Sequence, residues 1–131
     1  MLDDGSAGVR EAAAEALMRV ALIKDNQITI ATLGGIPKLL SLLDDGSAGV
    51  RENASRALRI VAYNADNRVT IASLGGIPKL QSLLDDFSAR VRGAAARALC
   101  KVAINAENIW GFEIFWCEKL RILFLLCCLL M

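Results

Sequence analysis

Cysteines carry the most reactive side chains in this sequence, and they occur at positions 100, 117, 127 and 128. Thiolates bind zinc when they come in C-x-x-C pairs or together with histidines. The chain of 131 residues has no C-x-x-C pair and no histidine. The spacing therefore favours reduced cysteines that act as small hydrophobic residues inside a cell, and it predicts neither a metal ion nor a cofactor.

Two glycine pairs, Gly34-Gly35 and Gly75-Gly76, are the second candidates, because glycine-rich loops can bind phosphate groups. Such a loop follows a β-strand and continues as G-x-G-x-x-G, and neither pair meets these conditions. The sequence shows no pairing of a nucleophile with a base, and the lack of histidine removes the commonest general base. We therefore expect a protein that is not an enzyme.

Charged side chains remain, and their chemistry would be binding. Fifteen lysines and arginines face fourteen aspartates and glutamates, a net charge of +1, which gives no bias towards nucleic acid. Which of these charges share a surface depends on the secondary structure that positions them.

An internal repeat dominates the sequence. Asp3–Leu43 aligns without a gap on Asp44–Leu84, at an offset of 41 residues, with 29 of the 41 positions identical. The same phrase begins a third time at Asp85 and continues to Asn108. A period of roughly 40 to 47 residues is typical of helical solenoids.

Each repeat ends in a stretch whose apolar residues have helical spacing. In the second copy they recur at i, i+4, i+7, i+8 and i+11, which is one stripe of an α-helix: Val50, Ala54, Ala57, Leu58 and Val61. The other copies carry the same stripe, at Val9, Ala13, Ala16, Leu17 and Val20, and at Val91, Ala95, Ala98, Leu99 and Val102. The serines before each stripe are predicted N-caps: Ser6, Ser47 and Ser88.

Two shorter helices are predicted before each long one. In the third copy the first runs from about Asp66 or Asn67 to Leu74, and the second from about Ile77 to Leu84. Gly75-Gly76 separates them and Pro78 lies in the first turn of the second, as expected for glycine after a helix and proline at a helix start.

The repeat resembles the armadillo repeat. Asp25-Asn26 through Leu43, and Asp66-Asn67 through Ala103, follow the phrase D/N-N-x-x-x-I-A-x-L-G-G-I-P-x-L-x-x-L-L, then a turn and V-R-x-x-A-x-x-A-L-x-x-V-A. The G-G-I-P phrase favours armadillo over the related HEAT repeat. The resemblance implies an all-α, right-handed superhelix with three helices per repeat. Its third helices would line a concave groove that binds peptides or partner proteins, as in scaffolds and adaptors.

The resemblance predicts about two and a third repeats. Residues 1–108 would form a partial repeat (1–22), two full repeats (23–63 and 64–104) and the start of another (105–108). Met1 takes the place of a mid-repeat leucine, so we expect a fragment of a longer array, with marginal stability or self-association through its open ends.

The family's nuclear import receptors hold peptides with a tryptophan and, four residues later, an asparagine on each third helix. The tryptophan positions are Glu15, Arg56 and Arg97 here, and the asparagine positions are Arg19, Ile60 and Lys101. None matches, so these roles do not transfer. Basic localisation peptides are not expected to bind, because the arginines and lysine would repel them.

A different groove is predicted from residues four apart, which share a helix face. The rows run from acidic to basic along the chain: Glu11, Glu15, Arg19; Glu52, Arg56, Ile60; Gly93, Arg97, Lys101. Ser88–Ala106 also holds Arg90 and Arg92 and no acidic residue. One hypothesis is a binding site for an acidic peptide, and the alternative is a solvated helix face. Tyr63 is expected to pack against the next repeat.

The segment 109–131 departs from the repeat. It holds both tryptophans, three of the four phenylalanines and three of the four cysteines. A membrane helix needs about 20 apolar residues, and the uncharged run 122–131 has ten. A divergent capping helix is a second interpretation. The favoured one is sequence that did not evolve as protein, from intron read-through or a shifted reading frame.

We therefore predict an intracellular interaction scaffold, cytoplasmic or nuclear, that binds a protein or extended peptide and no nucleic acid. Acidic Asp3 and Asp4 argue against a signal peptide, and Leu2 excludes N-myristoylation. Two alternatives stay open: a membrane-associated adaptor like the vacuolar and vesicle-tethering armadillo proteins, and the substrate-binding fragment of an armadillo ubiquitin ligase.

Overall fold

The computed structural model describes residues 5–103, which form seven α-helices and no β-strand. The helices are α1 (Ala7–Val20), α2 (Lys24–Thr32), α3 (Gly35–Leu42), α4 (Ala48–Val61), α5 (Ala65–Ser73), α6 (Gly76–Ser82) and α7 (Ala89–Ala103). A 3-10 turn, Leu83–Asp85, follows α6. The predicted all-α solenoid is confirmed. The segments 105–108 and 109–131, with Cys117, Cys127 and Cys128, lie outside the described residues.

The helices recur with the sequence period. The helices α5, α6 and α7 each begin 41 residues after α2, α3 and α4. The paired first residues are Lys24 and Ala65, Gly35 and Gly76, and Ala48 and Ala89. Each set consists of two short helices followed by a long one. This is the three-helix unit that the resemblance predicted.

The long helices pack side by side, with α4 between α1 and α7. The predicted apolar stripe of α4 is completely buried, from Val50 to Val61. Each leucine or valine buried in this way contributes about 1.5–3 kcal/mol. The α1 stripe is less buried, and Val20 remains 50% exposed. Within residues 5–103, α1 packs against one long helix, α4, whereas α4 packs against two.

The glycine pairs form the corner between the two short helices, and the two members of a pair have different tasks. Gly34 and Gly75 adopt left-handed backbone, with φ of 78° and 81°. Gly76 allows a close approach, because a Cβ there would lie 2.7 Å from the carbonyl oxygen of Ile71. The pair thus turns the chain and lets α6 pack against the end of α5.

Buried amides connect the first helix of a unit to the helices before it. The Asn67 side chain donates one hydrogen bond to the Val61 carbonyl at 2.9 Å and one to the Gln27 carbonyl at 3.0 Å. Asn26, its counterpart, donates to the Val20 carbonyl at 3.0 Å. The asparagine of the repeat phrase therefore satisfies a carbonyl at the end of the preceding long helix.

Aspartates hold the turns before α4 and α7, where Ser47 and Ser88 are the predicted caps. The Ser88 hydroxyl accepts a hydrogen bond from the Val91 N–H at 3.5 Å, as a cap does. Ser47 occupies the N-cap position of α4, but its hydroxyl makes no capping hydrogen bond. Instead, Asp45 Oδ1 accepts from the Ser47 N–H at 2.9 Å. Asp86 Oδ1 accepts from the Ser88 N–H at the same distance. The predicted caps are therefore correct in position and wrong in mechanism for Ser47.

The same aspartates join successive repeats. Arg10 donates to both carboxylate oxygens of Asp45 at 2.8 and 3.1 Å, and Arg51 does the same to Asp86. Arg51 also donates to the Asp45 carbonyl at 2.7 Å, which connects one pair to the next. The hydrogen bonds from Arg10 and Arg51 lower the pKa of Asp45 and Asp86 below 3.8, although burial acts in the opposite direction.

These lowered pKa values predict a loss of stability in acid. A carboxyl whose folded pKa is depressed contributes stability that is complete above its unfolded pKa, here 3.8, and disappears as the pH falls through the folded value. We expect the urea midpoint, followed by circular dichroism, to fall between pH 5 and pH 3. The Asp45→Asn/Asp86→Asn variant should show a smaller fall, and an equal fall would contradict this assignment.

Candidate partner-binding groove

A surface groove of about 500 Å³ lies between the long helices α4 and α7. On one side it is lined by Glu52, Arg56 and Arg59, and on the other by Ala89, Arg90, Gly93, Ala94 and Arg97. We call these residues the arginine groove. Helical spacing of three, four and seven residues within each set brings the side chains of one helix onto one face.

The arginine groove unites three of the eight residues that the sequence predicted as a binding site. Glu52 and Arg56 come from α4 and Arg97 from α7, with Gly93 of the predicted rows beside them. Ile60 is only 7% exposed and belongs to the core. Lys101 does not line the groove. Its Nζ lies 4.3 Å from the centre of the Tyr63 ring, so Tyr63 contacts the next repeat as expected.

The other predicted residues lie on α1. Glu15 and Arg19 form an exposed ion pair at 2.9 Å. The Glu11 carboxylate lies against the start of α4, because a Cβ on Gly49 would come within 2.3 Å of Glu11 Oε2. The Asn53 side chain donates to the Glu11 backbone carbonyl at 3.3 Å. Of these α1 charges, the Glu11 carboxylate therefore lies at the junction between α1 and α4, and Glu15 and Arg19 pair with each other on the exposed face of α1.

The sequence analysis missed Arg59 as a site residue and named Arg90 only in the basic span 88–106, outside the predicted rows. Arg59 lies three residues after Arg56, and Arg90 seven residues before Arg97, so helical spacing could have added both. Arg59 is half-buried, and within residues 5–103 its Nε is buried without a hydrogen-bond acceptor.

The charge of the groove determines what it can bind. Four arginines face one glutamate, and the closest approach between Glu52 and Arg56 is 4.0 Å, at the limit for an ion pair. Each guanidinium can donate two parallel hydrogen bonds to a carboxylate or a phosphate. The arrangement therefore suits an anionic group. Across the described part of the chain, no group of three cysteine, aspartate or glutamate side chains could hold a metal ion.

A second groove, of about 670 Å³, lies at the N-terminal end of the stack. Its walls are mostly apolar and come from α1 and α2, with Ala16, Leu17 and Val20 facing Ile30 and Leu33. Their counterparts one repeat later include Ala57, Leu58 and Val61, which are completely buried. This groove therefore exposes a surface that repeat stacking covers in the next copy.

The helical units and the groove between their long helices define a repeat protein of the armadillo and HEAT class. Residues 1–108 match the model of the family described as GCN1-like, C-terminal HEAT repeats, so the chain belongs to that family. The three-helix unit is the armadillo form of this class. The armadillo resemblance that the G-G-I-P phrase predicted agrees with this unit, while the matching family model is named for HEAT repeats.

Solved structures agree with this class. An engineered protein is 32% identical with a TM-score of 0.74, over 78% of this chain and 25% of its own. A designed armadillo repeat protein is 27% identical with a TM-score of 0.80, over 86% and 49%. Another, in complex with the peptide (KR)4, shares the fold at 23% identity and a TM-score of 0.76, over 97% and 59%.

The chain thus spans between 25% and 59% of the length of these structures. No curated protein matches it. None of the helices between residues 5 and 103 has the length and apolarity that crossing a membrane would require.

Proposed function

We propose that this protein is an interaction scaffold that binds an extended, anionic peptide segment in the arginine groove. One observation supports the proposal: a single concave surface carries four arginines and only one glutamate. The armadillo and HEAT class is typical of protein-interaction scaffolds, and we propose no catalytic activity.

The spacing of the arginines suits an extended peptide. Arg90 and Arg97 are seven residues apart on α7, which is about 10 Å along the helix axis. An extended chain advances about 3.3 Å per residue. Acidic residues three apart would therefore reach both arginines, while Arg56 and Arg59 line the opposite wall.

The likeness to designed armadillo proteins supports peptide binding by this fold. One of them was solved in complex with (KR)4, a peptide of opposite charge to the one proposed here. The change of sign follows from the arginines, because like charges facing each other at close range are unfavourable. The proposal concerns the type of ligand, and the identity of the partner is a separate question.

Titration tests this proposal directly. A fluorescent peptide library with two glutamates three residues apart would be titrated into the wild type and the Arg56→Ala/Arg90→Ala/Arg97→Ala variant. We expect affinity to fall at least tenfold, about 1.4 kcal/mol, and to weaken with added salt. Lys24→Ala, which removes an exposed charge outside the groove, is the control. Equal affinities of the wild type and the triple variant would reject the site.

We also propose a repeat region, a compartment and a mode of self-association. Residues 1–108 form the repeat region in the divisions given above, and the protein acts in the cytoplasm or nucleus. We also propose self-association through the apolar groove at the N-terminal end, since stacking covers the equivalent surface in the next repeat. Sedimentation velocity that shows only monomer at every concentration would exclude it.

A further inference from the structure

Of the two junctions between long helices within residues 5–103, the one between α4 and α7 carries the positive charge of the arginine groove. The positions equivalent to its lining at the junction of α1 and α4 are found by subtracting 41 from each number. They are Glu11, Glu15, Met18, Ala48, Gly49, Glu52, Asn53 and Arg56. The earlier junction thus carries three glutamates and one arginine, whereas the later one carries four arginines and one glutamate.

Four substitutions between otherwise similar copies produce this reversal. Glu15 becomes Arg56, Met18 becomes Arg59, Gly49 becomes Arg90, and Glu52 becomes Gly93. Each of them adds positive charge or removes negative charge. Gly93 also leaves space where the equivalent position of the second copy carries the Glu52 side chain, because a Cβ on Gly93 would meet nothing within 4 Å. The junction of α4 and α7 is therefore the more basic of the two.

We propose that the arginine groove binds a phosphate monoester carried on a side chain of the bound peptide. This inference rests on the proposed function and specifies the chemistry of its ligand. A carboxylate has one charge and two oxygens, whereas a phosphate monoester has a charge of about −1.5 to −2 and three acceptor oxygens. Such a group can engage guanidinium groups of both walls at once.

A phosphorylated peptide fits this surface better than a nucleic acid does. A nucleic acid repeats its phosphates along the whole backbone, so it needs a continuous basic track. Next to the arginine groove, α1 presents Glu11 and Glu15 instead, and the net charge of the chain is only +1. An isolated phosphate needs only arginines within the groove and no continuation of the basic surface onto α1.

Three degenerate nonapeptide libraries would test the inference, with phosphoserine, glutamate or serine at the central position. We expect fluorescence anisotropy to show the phosphoserine library binding at least tenfold more tightly than the glutamate library. Glutamate binding that equals phosphoserine binding and exceeds serine binding would overturn the phosphate site while keeping the anionic groove. Equal binding of all three, or none, would overturn both proposals. Tighter binding of a twelve-residue oligothymidylate than of the phosphoserine library would also overturn the phosphopeptide site.

Substitutions taken from the repeat itself supply the matched variants. Arg90→Gly and Gly93→Glu each restore the residue that the second copy holds at the equivalent position, so the long helix is known to accept them. We expect the double variant to lose at least tenfold in affinity for the phosphoserine library, with a helical circular dichroism spectrum like that of the wild type. Arg97→Gln should lose at least threefold, and Lys24→Gln should change affinity less than twofold. Unchanged binding by Arg97→Gln and by the folded double variant would exclude this groove as the site.

Discussion

Replacing Gly76 with alanine is expected to destabilise the fold by about 3 kcal/mol, at the upper end of the usual cost of overpacking. A Cβ at this position would lie 2.5 Å from Ile71 Cγ2, 2.7 Å from the Ile71 carbonyl oxygen and 3.2 Å from Leu40 Cδ2. The Ile71 side chain is completely buried and the Ile71 carbonyl oxygen belongs to the backbone, so moving either of them costs free energy. The whole corner between α5 and α6 would have to shift.

Gly93→Ala is the matched control for this change. Gly93 lies inside α7, and a Cβ there meets no atom within 4 Å. Alanine is the better helix former, so we expect this variant to gain about 0.5–1 kcal/mol. Urea unfolding of both variants measures the difference. Similar effects of the two substitutions would show that the corner tolerates a side chain and would contradict the close approach at Gly76.

The periodicity of the sequence was sufficient to predict the helices, and the reason is physical. The stripe from Val50 to Val61 has only one geometry that buries all of its members, and the corner glycines mark where the short helices end. The 41-residue offset then fixes the bounds of one set of helices from the other. These are local features, and tertiary packing reinforces them instead of opposing them.

Side-chain partners between repeats could not be read from a single helix. Rows of residues four apart placed Ile60 in the groove, but Ile60 is buried because α4 is covered from two sides. Lys101 was placed in the same way, and its ammonium lies over the Tyr63 ring. A helical pattern shows which residues share a face, whereas the neighbouring helix decides whether that face reaches solvent.

The pairing of Arg10 with Asp45 was also absent from the prediction, although the sequence holds a signal for it. The two arginine–aspartate ion pairs between repeats join residues 35 apart, since Arg51 and Asp86 are the counterparts of Arg10 and Asp45. Opposite charges that recur together at one fixed separation in a stacked repeat indicate a contact between units.

Removing the charge of Asp86 is the second change with a large expected effect. Asp86→Asn leaves the Arg51 guanidinium without a carboxylate, although only 15% of the Arg51 side chain and 9% of the Asp86 side chain are exposed. A charge left unpaired at such burial costs about 2–4 kcal/mol, slightly below the value for a completely buried pair. Asp85→Asn is the control, because Asp85 is exposed and adjacent.

The loss of stability in Asp86→Asn should be greatest at one junction of the stack, between α4 and the helices α5 to α7. Repeats in a solenoid contact only their neighbours, so weakening the link between Arg51 and the turn before α7 uncouples the last unit from α4. We expect amide hydrogen exchange of Asp86→Asn at neutral pH to accelerate in α5, α6 and α7 more than in α1 and α2. Uniform acceleration would indicate that the described helices unfold as a single unit. Arg51→Met added to Asp86→Asn should recover part of the stability, because it removes the unpaired charge, and a further loss would contradict the electrostatic explanation.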